Sequence, residues 1–160
     1  MATSHSYGAT LENNKTENQA VQFLLAQNPC FRVLSKDERK KLLSSLGLES
    51  SFSRAFDLVR VPSAEVIDIF SVPVENLILI ELKTTKKKLI NNPAGFFFGA
   101  TENEINLAKK LGDRYKFCFI SLHAESSTYA LLTWKELDQK IKHQRIQYQI
   151  NLKNESSTET

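Results

Sequence analysis

The chain is 160 residues long, 41% hydrophobic and 24% charged, an ordinary soluble-domain composition with room for one domain and not comfortably for two. No apolar run exceeds four residues, Leu77 through Ile80 among them stopping at Glu81, far short of the roughly 18 residues of a membrane-spanning helix, so a wholly disordered chain and a helical membrane protein are both excluded. Net charge is +3 but unevenly spread: residues 1–80 carry 8 basic and 9 acidic groups, residues 81–160 carry 13 and 9, and the stretch 83–116 alone holds 8 against 3, a local field suited to phosphates.

Residues 1–14 and 153–160 are rich in Ser, Thr, Asn and Glu and read as flexible tails around a single domain over 15–152. The polar N-terminus lacks the apolar segment of a secretory signal. Cys30 and Cys118 sit singly, without a CxxC pair, which argues against a disulfide scaffold or zinc finger and for the reducing cytoplasm. From Thr16 the pattern turns helical, with Val21, Leu24 and Leu25 at helical spacing and Asn28-Pro29 ending the run. Ser35 and Glu38 form a capping box that opens a second helix, whose stripe is Leu42, Leu43 and Leu46 and whose stop is Gly47.

Three short stretches rich in β-branched residues follow, at 56–61, 66–70 and 77–83, separated by Pro62-Ser63 and by residues 73–76. They predict an antiparallel three-strand meander. Next come a loop over 91–95, a strand-like run at Phe96, Phe97 and Phe98, and a helix opened by the capping box of Thr101 and Glu104 and closed by Gly112. Residues 115–122 and 128–133 predict a strand hairpin, 135–145 a helix and 146–152 a last strand. The order predicts an α/β fold, a central mixed β-sheet with its meander flanked by helices.

The chemistry concentrates in Glu81-Leu82-Lys83. On a strand a carboxylate and an ammonium two residues apart share one face. An acidic-x-Lys triplet is a weak signal alone, and Asp138-x-Lys140 is a second one, placed in a predicted helix where the two side chains diverge. Asp68 strengthens the first. If the turn is centred on Val74 and Glu75, Asp68 falls opposite Glu81, and two facing carboxylates repel unless a cation sits between them. A hard divalent ion would resolve the repulsion, since Mg²⁺ commonly takes one or two protein carboxylates plus waters. Asp57 is the alternative acid. Pairing it with Glu81 would centre the turn on Ile69, inside the expected second strand, so it reads as a neighbour of the site unless that register is wrong. Solvated charges pairing with one another on a sheet face would be the structural alternative.

Asp68-Ile-Phe followed by Leu77-Ile-Leu-Ile-Glu81-Leu-Lys83-Thr-Thr resembles the PD-(D/E)xK nuclease superfamily. The hairpin spacing is similar to that of Holliday-junction resolvases. Restriction endonucleases and NO VEIN-type nuclease-like domains are similar too, the latter through Glu81-Leu-Lys-Thr-Thr, Phe96-Phe-Phe and Asn103-Glu104. The resemblance covers about residues 15–122. It departs from the common pattern in having Ile67 where a Pro often precedes the Asp. It implies a restriction-endonuclease-like core in which Asp68 and Glu81 bind Mg²⁺ (or Mn²⁺) with the carbonyl of Leu82. Lys83 would activate or orient the attacking water. A Glu from the first helix joins the site in many members; Glu17 fits best, before Glu12 and Glu38. Phe56-Asp57-Leu-Val also resembles the acidic motif of some restriction-type enzymes, which keeps Asp57 open as a residue beside the metal ligands or as an alternative ligand.

The expected function is Mg²⁺-dependent endonucleolytic hydrolysis of DNA, first as restriction-type cutting of duplex DNA by a homodimer. Alternatives are a junction resolvase, a homing-type nuclease, or a non-catalytic DNA-binding module on the same fold. Lys86, Lys87 and Lys88, directly after the Glu-x-Lys strand, are placed to contact phosphates. His5, His123 and His143 have no zinc spacing, no Gly-rich phosphate loop exists, and no Gly-x-Ser-x-Gly elbow supports a serine hydrolase. The run Phe96 to Phe98 reads as core packing rather than a base-stacking platform.

Overall fold

The computed structural model describes the backbone of residues 3–154 and side chains from residue 15 to 154. Helix α1 (Thr3–Gln27) leads into strand β1 (Phe31–Val33), helix α2 (Lys36–Ser45) and strands β2 (Leu58–Arg60) and β3 (Ile78–Thr85). Helix α3 (Glu102–Leu111), strands β4 (Tyr115–Ser121) and β5 (Thr128–Leu132) and helix α4 (Trp134–Asp138) complete the order. The five strands form one mixed sheet in sequence order. Neighbours run antiparallel except β3 and β4, which are parallel. That parallel pair needs a crossover, and α3 supplies it.

Alternation along β3 sorts the core into two layers. Leu79 packs with Val59, Phe117, Phe119, Leu42 and Leu43 of α2, Leu107 and Leu111 of α3 and Leu137 of α4. Ile80 and Leu82 turn the other way and pack with Phe31, Leu58, Cys118 and Ile120 under Ala20 and Leu24 of α1. Helices thus flank the sheet on both faces, α1 on one and α2, α3 and α4 on the other. Among the described residues no helix is long and apolar enough to cross a membrane. Leu24 is fully buried beneath the sheet, so Leu24→Ala should cost about 2–5 kcal/mol, measured by chemical denaturation, and loosen the helix that carries Glu17.

The capping boxes of α2 and α3 form as the sequence predicts. The meander forms too, with different members. It is made of β1, β2 and β3, and the expected strand at 66–70 is instead a loop with 3₁₀ turns at Ile69–Ser71 and Val74–Asn76. Asp68 decides this locally: its side chain accepts the Phe70 N–H at 2.9 Å and caps the first turn, a competition with strand hydrogen bonding that short polar side chains often win. Ile69 is buried in the core while Ile67 is almost wholly exposed, so the β-branched content anchors a loop rather than lining a sheet.

Other boundaries differ. α1 takes in residues 3–14, read from the sequence as a tail, and the other expected tail lies outside the described residues beyond residue 154. Phe96, Phe97 and Phe98 lie in a loop, not a strand. The helix expected over 135–145 is the short α4, and the strand expected over 146–152 does not form. Ile146, Tyr148, Ile150 and Leu152 alternate as a strand would but stand exposed. Alternation without a neighbouring strand to complete the hydrogen bonds makes no sheet.

Candidate active site

β2 is short, and its register with β3, Leu58↔Ile80, ends where β3 continues toward Thr85. Asp57 closes the ladder at that point. Its N–H donates to the Ile80 carbonyl at 2.8 Å, and its Oδ2 accepts the Leu82 N–H at 2.7 Å. The carboxylate therefore satisfies a strand amide that β2 no longer reaches. Because a strand residue's N–H and C=O point to the same side, the Leu82 carbonyl is directed into the same gap. Asp57 is itself braced: Arg39 of α2 donates to the carbonyls of Ser53 (3.3 Å), Phe56 (3.1 Å) and Asp57 (3.3 Å), and the buried Tyr115 hydroxyl donates to Ala55 O at 2.5 Å.

The gap is the floor of a cleft of about 420 Å³ lined by Glu17, Asp57, Glu81, Leu82, Lys83 and Phe97, among others. Glu81 is only 7% exposed, and its buried Oε2 meets no hydrogen-bond donor among the described residues. Burial, and then the nearby Asp57 carboxylate, push its pKa up to about 10. Lys83 Nζ lies 3.2 Å from Glu81 Oε1 and 2.5 Å from Glu104 Oε1. Burial works against its ammonium, but the two carboxylates outweigh burial and raise its pKa, so Lys83 is a charged donor at neutral pH. Glu17 enters from α1; desolvation and Asp57 raise its pKa while Arg39 opposes them.

The structure brings Glu17, Asp57, Glu81, Leu82 and Lys83 together and leaves Asp68 out. Asp68 is exposed, occupied in its cap, and not opposite Glu81. The correction is one of register: with 66–70 looped out, β2 pairs directly with β3 and Asp57 takes the place assigned to Asp68. Lys86, Lys87 and Lys88 are exposed where β3 ends, and Lys88 forms an ion pair with Glu125. Glu38 is spent in the capping box of α2, Asp138 belongs to α4 away from this cleft, and the side chain of Glu12 lies outside the described residues.

Two contributors escaped the sequence reading. Glu104 enters there as the capping residue of α3 and within the Asn103-Glu104 resemblance, with no role in the site. One of its oxygens does serve Thr101, accepting the hydroxyl at 2.8 Å, while the other holds Lys83. The helix cap thereby aims the lysine. Thr101→Ala should cost about 1 kcal/mol in thermal denaturation and, by freeing Glu104, lower activity as well. Arg39 carries no sequence signal for its role, since nothing local ties a helix Arg to carbonyls fourteen to eighteen residues on.

Among the described residues no three His, Cys, Asp or Glu side chains converge on one point. The donors present are the carboxylates of Asp57 and Glu81, the Leu82 carbonyl and, at the margin, Glu17. All are oxygens, the type hard divalent cations take, and Mg²⁺ needs only one or two carboxylates from the protein. The orphaned Glu81 Oε2 fits that use. The chain matches no protein-family model, and no curated protein or solved structure matches it.

Proposed function

We propose that this protein is a Mg²⁺-dependent endodeoxyribonuclease with a restriction-endonuclease-like core, its site formed by Asp57, Glu81 and Lys83 with the Leu82 carbonyl. One observation carries the reading: a buried carboxylate with an unpartnered oxygen lies next to a second carboxylate and a lysine held as an ammonium. A purely structural site has little use for that arrangement, since a second carboxylate beside a buried one raises the cost of ionising it. Mg²⁺, when bound, supplies a Lewis acid and lowers the pKa of water. Asp57 and Glu81 hold the cation. Lys83, already protonated, acts as a hydrogen-bond donor that orients the attacking water and stabilises charge on the phosphate, rather than as a base. Glu104 keeps its Nζ in place, and Lys86 and Lys87 offer charge to flanking phosphates.

Restriction-type cutting would call for a homodimer, because one site cuts one strand. Beyond α4, residues 139–154 form no helix or strand, which leaves the reading at endonuclease, without a sequence preference. Incubating the protein with supercoiled plasmid, single-stranded and branched DNA in Mg²⁺ tests it. Nicking or cutting that stops with EDTA and is lost in Lys83→Ala is the expected result. Salt-dependent DNA binding without cleavage in Mg²⁺ or Mn²⁺ would replace the enzyme by a binding module.

A further inference from the structure

Phe97 stands at the lip of the cleft that holds Asp57, Glu81 and Lys83, and it is 88% exposed. A single exposed aromatic residue is unremarkable elsewhere on a surface; here its neighbours hold it out. Phe96 and Phe98 both pack edge-to-face against Phe119 with ring centroids at 5.0 Å, and against each other at 6.1 Å. Phe119 is fully buried in β4. The same loop is tied down upstream, where Asn92 Nδ2 donates to the Phe119 carbonyl at 2.9 Å. Two half-buried anchors packed on Phe119 thus flank one ring in solvent, and Phe97 has little freedom to fold back into the core.

We propose that Phe97 is a base-stacking residue and that the site takes DNA with unpaired bases beside the cleaved phosphate: single strands, flaps, bubbles or junctions. The inference rests on the nuclease reading above and narrows its substrate. An aromatic face stacks on any base and is indifferent to sequence, but it needs the base to be unstacked from its neighbours, which an intact duplex does not offer. The backbone of the same strand would run past the exposed Lys86 and Lys87 at the end of β3. A rigid ring at the entrance would hold the nucleotide next to the scissile phosphate and so set the phosphate over Lys83.

Binding can be read without cleavage. In a Trp134→Phe background, which removes the one native Trp, Phe97→Trp places a reporter at the lip. Titration in metal-free buffer with a 15-mer single-stranded oligonucleotide, and with its blunt duplex, should quench the reporter strongly for the single strand and weakly for the duplex. In the native background Phe97→Ala should weaken single-strand binding about tenfold, within the range for one base on one aromatic ring. Phe97→Tyr should preserve it and Phe97→Leu should fall between. In Mg²⁺, Phe97→Ala should lose cleavage of bubble and flap substrates selectively. Equal affinity of Phe97→Ala and the native protein for the single strand, or equal quenching by duplex, overturns the stacking role while leaving metal-dependent cleavage intact. A native protein that neither binds nor cuts any of these DNAs overturns both readings.

Discussion

Glu81→Gln should abolish cleavage and, in the same protein, stabilise the metal-free fold at pH 8. The carboxyl is buried, and its pKa stands at about 10 against an ordinary 4.5. Between those values the unfolded chain has shed a proton that the native state keeps. Stability therefore falls as pH rises, by up to about 1.4 kcal/mol per pH unit. The contribution of Glu81 is fully present below about pH 4.5 and is lost progressively toward pH 10. Lys83 adds to the same trend, but only at the alkaline end: its raised pKa contributes stability that is fully present below its ordinary 10.5 and is lost as pH rises above it. Gln keeps the shape and carries no titrating proton, so the pH slope of the melting temperature should flatten. Mg²⁺ should raise the melting temperature of the native protein at pH 8 and leave the Gln variant unmoved. A native protein whose stability is flat from pH 5 to 8 would contradict the buried, unpartnered state of this carboxylate.

The second large effect separates Asp57 from Asp68. Asp57→Ala should lower cleavage by at least about a hundredfold, because it removes one of the two carboxylates and frees the Leu82 N–H that Oδ2 now accepts. Asp57→Asn is the informative control: it retains an acceptor for that amide, so a loss of cleavage there belongs to charge and not to a broken strand end. Asp68→Ala should cost about 1 kcal/mol through its lost cap and cut DNA normally. Parallel melting curves and nicking rates on the three variants check this. The reverse ranking, with Asp68 essential and Asp57 dispensable, would mean that β2 and β3 do not pair as described.

These two aspartates also show what was legible in the chain. Glu81-x-Lys83 could be read because strand periodicity alone places both side chains on one face, and α3 could be read because its capping box is local. The register was not local. Val66, Ile67 and Ile69 have strand chemistry, and only tertiary packing, with Ile69 taken into the core and Asp68 turned to cap Phe70, decides that they form a loop. Once they do, Asp57 is the acid beside Glu81. β1 was hidden for a similar reason: three residues after a proline carry no period, and they become a strand because β2 is there to pair with them. Toward the C-terminus the alternation of Ile146, Tyr148, Ile150 and Leu152 is a true pattern that no neighbouring strand among the described residues completes.

In the function proposed for this protein, Asp57 and Glu81 form one cation site. Mn²⁺ binding, followed by the loss of the free-ion electron paramagnetic resonance signal, reads it without DNA or turnover. Native protein and Lys83→Ala should both deplete free Mn²⁺, Asp68→Asn should bind like the native chain, and Asp57→Asn and Glu81→Gln should each lose the site. Native protein that leaves Mn²⁺ free, or Asp57→Asn that binds as tightly as the native chain, would contradict it.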